Sequence, residues 1–189
     1  MLKDLILKNR GYRRFHQDVP IELETLKELV DLARLSASAR NLQALKFFLS
    51  ADPQQNARIF PHLSWAGYLK DWPGPAEGER PSAYILILND KEIGQAMGPD
   101  EGIAALSILL GATEKSLGGC IIASIAREKV AEALGLPEQY EIRLAIPLGK
   151  PREKVMLEAI KPDGDIKYWR DSEGTHHVPK RSLDEIILT

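Results

Sequence analysis

Between Asp100 and Leu117 the chain carries Ile103, Ala104, Ala105, Leu106, Ile108, Leu109, Leu110 and Ala112. On the helix this stretch predicts, apolar residues fall on nearly every face, and a helix with no polar face has to be surrounded. The chain has 189 residues, which suits one domain with one sizeable core, spanning 1–189. Two surroundings are then available: the helix runs through the centre of a monomeric core, or a partner subunit covers it. Small residues (Ala104, Ala105, Ser107, Gly111) permit close approach of another helix. The sequence leaves both readings open. Gly118-Gly119 reads as the stop.

The other elements follow from periodicity. From Ile21 to Leu35 the residues Leu23, Leu26, Leu29, Val30 and Ala33 form one apolar helical face, opposed by Glu22, Glu24, Lys27, Glu28 and Asp31. Strands are predicted at Lys46–Ala51, Ala83–Leu88, Cys120–Ile125 and Glu141–Leu148, with Pro147 marking an edge or a bulge. A turn or short helix opens at Asp52-Pro53, and a short helix spans Arg127–Leu134, closed by Gly135 and Pro137. Residues 60–82 hold four prolines, three glycines, Trp65, Tyr68 and Trp72, a loop whose aromatics fold over something or pack among themselves. From Lys161 the chain reads as polar and loop-like until Leu183. With no repeat, linker or low-complexity tract, an α+β domain is the economical reading.

Composition removes several functions. A net charge of −2 gives no support for general nucleic-acid binding. The single Cys120 excludes an intramolecular disulfide framework, fits a reducing compartment, and in its apolar run reads as a buried, inert thiol. No run approaches the roughly 20 apolar residues that span a bilayer. Met1-Leu2-Lys3-Asp4 has no secretory pattern, so a cytoplasmic location is the expectation. His16 and His176-His177 lack cysteine or carboxylate partners at ligand spacing; no metal is expected, and they read as surface histidines.

Three polar patches remain. Asn9-Arg10-Gly11-Tyr12-Arg13-Arg14-Phe15 sets three arginines around a glycine, after a short amphipathic run (Leu2, Leu5, Ile6). Guanidinium groups grip phosphate or carboxylate bidentately, and glycine lets backbone approach a ligand. The second patch runs from Ser36 to Gln43, and the third is Lys180-Arg181. Together they suggest an anionic ligand gathered from distant segments. Singly, each suits solvated surface.

In their order these stretches resemble the nitroreductase family of flavin mononucleotide (FMN) enzymes. Arg10 to Phe15 is similar to the family's Arg-Ser-x-Arg-x-Phe opening. Ser36-Ala37-Ser38-Ala39-Arg40-Asn41-Leu42-Gln43-Ala44-Leu45 is similar to Ala-Pro-Ser-Ala-x-Asn-x-Gln-Pro-Trp. Leu110 to Cys120 resembles the buried helix running into Gly-Leu-Gly. Leu134–Tyr140 with Gly149-Lys150-Pro151, and Lys180-Arg181-Ser182-Leu183-Asp184-Glu185, resemble the closing motifs. The likeness covers about residue 8 to the end and is weakest over 53–80. Gly11 stands where the family has serine, so only backbone can serve there. Ala37, Ala44 and Leu45 replace Pro, Pro and Trp, and the short chain implies a reduced lid.

The resemblance implies a nitroreductase-like α+β fold: a central, mostly antiparallel sheet flanked by helices, in an intertwined homodimer with FMN at the interface. It implies that Arg10, Gly11 and Arg13 meet the phosphate, with Lys180 and Arg181 arriving from the C-terminus. Arg14, next in extended backbone, would face the other way. Ser38, Ala39, Asn41 and Gln43 would meet the flavin, often from the second subunit. Ile122 and Ala123 would pass beside N5, with a backbone N–H donated to it, and Trp65 and Tyr68 are candidates to cap the substrate. NAD(P)H is the implied donor in a ping-pong cycle, and a nitroaromatic, a quinone or a similar conjugated electrophile the acceptor. No side chain is needed as an acid or base, and no GxGxxG motif asks for a separate dinucleotide fold. The same fold also suits a flavin-dependent metabolite oxidase or dehalogenase. A non-catalytic FMN-binding sensor is the reading from another class.

Overall fold

The computed structural model describes residues 1–188. Helix α1 (Leu2–Lys8) leads into a two-residue strand β1 (Phe15–His16), then α2 (Leu23–Leu35) and β2 (Leu45–Ser50). Helix α3 (Pro53–Ile59) is N-capped by Asp52, whose carboxylate accepts the Gln55 N–H at 2.8 Å. Strand β3 (Ala83–Asp90), α4 (Gly98–Glu114), β4 (Gly118–Gly119), α5 (Arg127–Leu134) and β5 (Tyr140–Pro151) follow.

The sheet runs β1-β5-β3-β2, with β4 also against β5, and every pairing is antiparallel. Strand β3 is buried along its whole length because both faces are covered. Ile85 and Ile87 face one core with Leu26, Leu29, Ala105, Ile108 and Ala112 of α2 and α4. Tyr84, Leu86 and Leu88 face a second core with Ile59, Trp65 and Val130. The α+β layering is the architecture the resemblance implies.

Several expectations are corrected. Cys120–Ile125 is not a strand. Gly118↔Gly149, Gly119↔Leu148 and Ile122↔Ala145 lie on one continuous antiparallel register, but the ladder lapses between them. Ile122 and Ala145 exchange both hydrogen bonds at 2.9 Å, so the next bonded pair would be Cys120 and Pro147, where proline has no N–H to give. Pro147 is therefore neither at a free edge nor in a bulge; it sits inside β5 opposite Tyr84, and the register shift on β3 falls at Ile87/Leu88. Helix α4 is also shorter than predicted and is closed by Ser116 in the left-handed region (φ 60°), with the Leu117 N–H reaching the Ala112 carbonyl at 2.8 Å. Nor is α4 enclosed on all sides: Ile103 and Leu106 are 38% and 50% exposed.

The tail is not a loop. Strand β6 (Val155–Ala159) pairs in parallel with β8 (His176–Lys180), which pairs with β7 (Trp169–Arg170), and α6 (Leu183–Ile186) follows. Nor are its histidines on the surface: His176 is 1% exposed. His177 lies between Glu158 and Asp171, each carboxylate 3.1 Å from a ring nitrogen, with Trp169 stacked on it at 4.1 Å.

The hydrogen bonds to Asp171 and then Glu158 raise the His177 pKa. Glu158 is held low chiefly by the Trp169 N–H and then by His177, and Asp171 is held low chiefly by His177. Stability from the charged imidazole is complete below its ordinary value of about 6.5 and is lost as pH rises through the higher folded value. The carboxylates' share is present above their ordinary values of about 4 and is lost on acidification through the lowered ones. The second sheet should therefore loosen on the alkaline side, and amide exchange in β7 and β8 should quicken beyond the intrinsic rise as pH climbs from the ordinary imidazole value of about 6.5 through the higher folded one. His177→Gln should abolish that excess; wild-type protection that does not change over this interval would refute the arrangement.

Candidate functional site

The Arg10–Phe15 stretch is held by backbone pairing. Gly11 and Gly119 form a parallel bridge, and the Tyr12 N–H donates to the Gly119 carbonyl at 3.0 Å. Glycine is required on one side of that bridge. A Cβ on Gly119 would strike the Pro147 carbonyl, whereas one on Gly11 would meet only ordinary contacts at 3.7 Å or more.

Beyond the bridge the chain from Cys120 to Ala123 has an open edge. The Ile122 N–H is taken by Ala145, so of the two residues the resemblance places beside N5, Ile122 has no backbone donor to spare. The N–H groups of Ile121 and Ala123 have no partner among the described residues. The slot is closed at one end by Tyr12 on Gly119 and at the other by the Ser64 N–H on the Ser124 carbonyl at 3.0 Å.

Where the N-terminal stretch meets the second sheet, arginines gather. Glu153 accepts the backbone N–H of Arg13 at 2.5 Å and of Arg14 at 3.2 Å, and pairs with Arg170 at 3.0 Å. Arg14 turns to Glu79, its Nε donating at 2.7 Å, and Arg152 stands 3.7 Å from the same carboxylate. Three guanidinium groups (Arg14, Arg152, Arg170) thus share two carboxylates (Glu79, Glu153), and the Arg13 guanidinium pairs with neither, so four cationic groups stand against two anionic ones. Arg13 Nη1 lies 3.2 Å from the Gly11 carbonyl and 3.3 Å from His176 Nε2, and its guanidinium sits 4.9 Å from the Tyr168 ring centre. Arg10 donates to the Ile6 carbonyl. Three N–H-bearing nitrogens here, Arg10 Nε, Arg170 Nε and His176 Nδ1, are buried with no partner.

Besides Glu79, the aromatic loop joins this corner through Trp72, whose ring centre lies 4.6 Å from the Arg170 guanidinium, and through Tyr68. Tyr68 is 47% exposed, lies 4.9 Å from the Tyr168 ring, and donates its backbone N–H to the Tyr168 hydroxyl at 3.3 Å. Trp65, named with it as a possible cap, is instead 8% exposed and packed against Phe60 in the core. An open cleft of about 570 Å³ lies between Tyr68, Trp72, Arg170 and Asp171.

The Ser38–Gln43 loop lies elsewhere, at the start of α4. Buried Asp100 accepts Ser38 Oγ at 3.1 Å and the Ala39 N–H at 2.9 Å, and Ser38 Oγ accepts the Gln43 N–H at 3.1 Å. Arg40, Asn41 and Gln43 have φ of 55°, 53° and 53°, three left-handed residues none of which is glycine. Such strain persists only where the surroundings over-determine it, and it concentrates at functional places. Asn41 and Gln43 are exposed, and a cavity of about 230 Å³ is lined by Gln43 with Ser36, Ser38, Phe47 and Asp100.

Within one chain these parts do not meet. Asp100 lies in the first turn of α4 and Glu114 is its last residue, about 21 Å apart along the helix axis. Lys180 and Arg181 are not at the arginine corner either. Lys180 is four strand positions, about 13 Å, beyond His176, and Arg181 turns to Glu185 at 3.6 Å.

A nitroreductase-family model matches residues 6–150, most of the chain. The chain belongs to the nitroreductase family. The fold is similar along its entire length to a nitroreductase-family protein from Streptococcus pneumoniae TIGR4, at 16% identity and a TM-score of 0.71, covering 100% of both chains. An FMN-dependent nitroreductase from Clostridium difficile R20291 is 26% identical over 79% of this chain and 87% of its own (TM-score 0.62). An NADPH:FMN oxidoreductase from Vibrio harveyi, solved in complex with NAD+, is 23% identical over 79% of this chain and 68% of its own (TM-score 0.61).

Glu153, Tyr168, Arg170 and His176 were not legible as site residues. A weak signal existed: Tyr168-Trp169-Arg170 and Thr175-His176-His177-Val178 flank Asp171-Ser172-Glu173-Gly174, a turn sequence with β-favouring residues on both sides. Two substitutions test the geometry. Asp100→Ala should cost about 1–3 kcal/mol by stranding the Ser38 and Ala39 donors. Gly119→Ala should cost about 1–3 kcal/mol by overpacking against Pro147. Urea midpoints equal to wild type would contradict the respective contact.

Proposed function

We propose that the chain is an FMN-dependent NAD(P)H oxidoreductase that works as a homodimer, with FMN held between subunits. The observation that carries this reading is the split site. The Ser38–Gln43 loop is tied to the first turn of α4, the arginine corner adjoins the Gly11–Gly119 bridge beyond its last turn, and about 21 Å of helix runs between Asp100 and Glu114. Along α4 Ile103 and Leu106 are exposed, as are Leu32 and Leu35 of α2. A two-fold axis through such a face would bring the arginine corner of one subunit to the loop of the other, twice over.

The residues present fit the cofactor. Buried donors without acceptors and two uncompensated positive charges suit a phosphate dianion. Arg10, Arg13 and the backbone at Gly11 would hold it. The Ala123 N–H, free in the open slot, would donate to the ring edge in place of the engaged Ile122 N–H. The exposed amides of Asn41 and Gln43, with Ser38 and Ala39, would line the ring from the partner. FMN, when bound, would supply the redox chemistry for carrying a hydride's electrons from NAD(P)H to a nitroaromatic, quinone or similar conjugated acceptor in a ping-pong cycle. The chain's own part is to bind, orient and cover. Tyr68, at the mouth of the open cleft, would contact the acceptor. Among the described residues no helix is long and apolar enough to cross a membrane.

Purified protein should be yellow, dimeric by light scattering, and bleached by NAD(P)H without oxygen. Arg13→Ala should weaken FMN binding by roughly 1.5–3 kcal/mol, the value of a charge-assisted contact. Bound flavin that stays oxidised with both nucleotides would leave a binding protein and remove the enzyme. A monomer would refute the shared site.

A further inference from the structure

The Arg13 side chain is long, and ordering it on binding would cost rotamer freedom unless the fold orders it first. It is ordered. Nη1 is engaged by the Gly11 carbonyl at 3.2 Å and by His176 Nε2 at 3.3 Å, and Tyr168 lies against the guanidinium at 4.9 Å. No hydrogen bond within the protein uses Nη2 or Nε among the described residues, so one edge of the fork is left to a ligand.

His176 has a definite state in this contact. A guanidinium has no lone pair to offer, so Nε2 must accept, and the ring proton sits on Nδ1. Burial, followed by the nearby charges of Arg13 and Arg170, holds the imidazole pKa down at about 4, so the ring is neutral at physiological pH. Nδ1 is buried and finds no acceptor, an arrangement that packing alone does not favour.

We propose that His176 is a positioning residue that, with Tyr168, fixes the free edge of the Arg13 guanidinium toward a phosphate, and so makes the site select phosphorylated flavin over its unphosphorylated form. The inference rests on the FMN reading above, and no motif of the sequence points to it. Glu153 supports it from the backbone side, where it anchors the Arg13 N–H and ties it to Arg170 of β7. The second sheet then has a function at the site: it delivers His176 of β8 and Arg170 of β7, with Tyr168 two positions before Arg170, to the N-terminal arginine.

The test compares dissociation constants for FMN and riboflavin, which differ by the phosphate alone. Flavin fluorescence quenching would be measured on wild type, His176→Ala, His176→Gln and Tyr168→Leu. His176→Ala should weaken FMN about ten- to a hundredfold while leaving riboflavin unchanged, as for a lost hydrogen bond to a charged group. His176→Gln, a neutral acceptor, should recover most of the loss. Tyr168→Leu, on the half-exposed side of Arg13, should give a smaller loss that is again confined to FMN, and it serves if His176→Ala does not fold. An equal loss for both flavins, or unchanged FMN affinity, would overturn the positioning role. Wild-type protein that binds neither flavin would overturn the FMN reading itself, before any variant is made.

Discussion

Strand β5 is the axis of the molecule, hydrogen-bonded to β1 at its C-terminal end, to β3 along one edge and to β4 along the other. On that second edge Pro147 interrupts the ladder, because a proline nitrogen carries no hydrogen. The Cys120–Ala123 segment therefore runs in register with β5 without being bonded along all of it. Its outward side stays open between the Tyr12 and Ser64 contacts. With a donor at 147 the edge would continue as strand, and the backbone N–H groups of Ile121 and Ala123 would line an ordinary sheet edge. The close fit of Gly119 under the Pro147 carbonyl shows how near the two segments remain despite the lost bond.

Helix α4 imposes the second constraint. It fills the core between the sheet and α2, yet keeps apolar Ile103 and Leu106 at the surface and carries a candidate half-site at each end. Its N-terminal end is tied by Asp100 to a loop with three left-handed non-glycine residues, and its C-terminal end leads directly into the Gly118–Gly119 bridge. A rigid helix keeps these half-sites apart in one chain, and the same rigidity would place them accurately in a symmetric pair.

Much of this was legible beforehand. The helices at 23–35 and 127–134 and the strands at 45–50, 83–90 and 140–151 follow from apolar period and turn residues, which act locally. The order of short motifs led to the nitroreductase family. Three features were not legible, each for a non-local reason. The lapse of the strand after Gly119 depends on a proline 28 positions later. The exposure of Ile103 and Leu106 depends on which neighbours α4 finds. The second sheet is built from a tail whose polar composition hides it, because its cohesion comes from His177 between two carboxylates and Trp169 against the ring rather than from an apolar stripe.

By itself, the sequence determined the layered α+β architecture, the family, and the presence of cationic groups near the N-terminus, because periodicity, glycine and arginine act through spacing along the chain. The tertiary structure alone decided which of those groups meet. It took Arg14 to Glu79, left Lys180 and Arg181 about 13 Å and more along β8 from His176, buried Trp65, and brought His176, Tyr168, Arg170 and Glu153 to Arg13. Those are contacts across 17 to 163 positions, and only the closing of the sheet and the packing of the tail on the N-terminal stretch can make them.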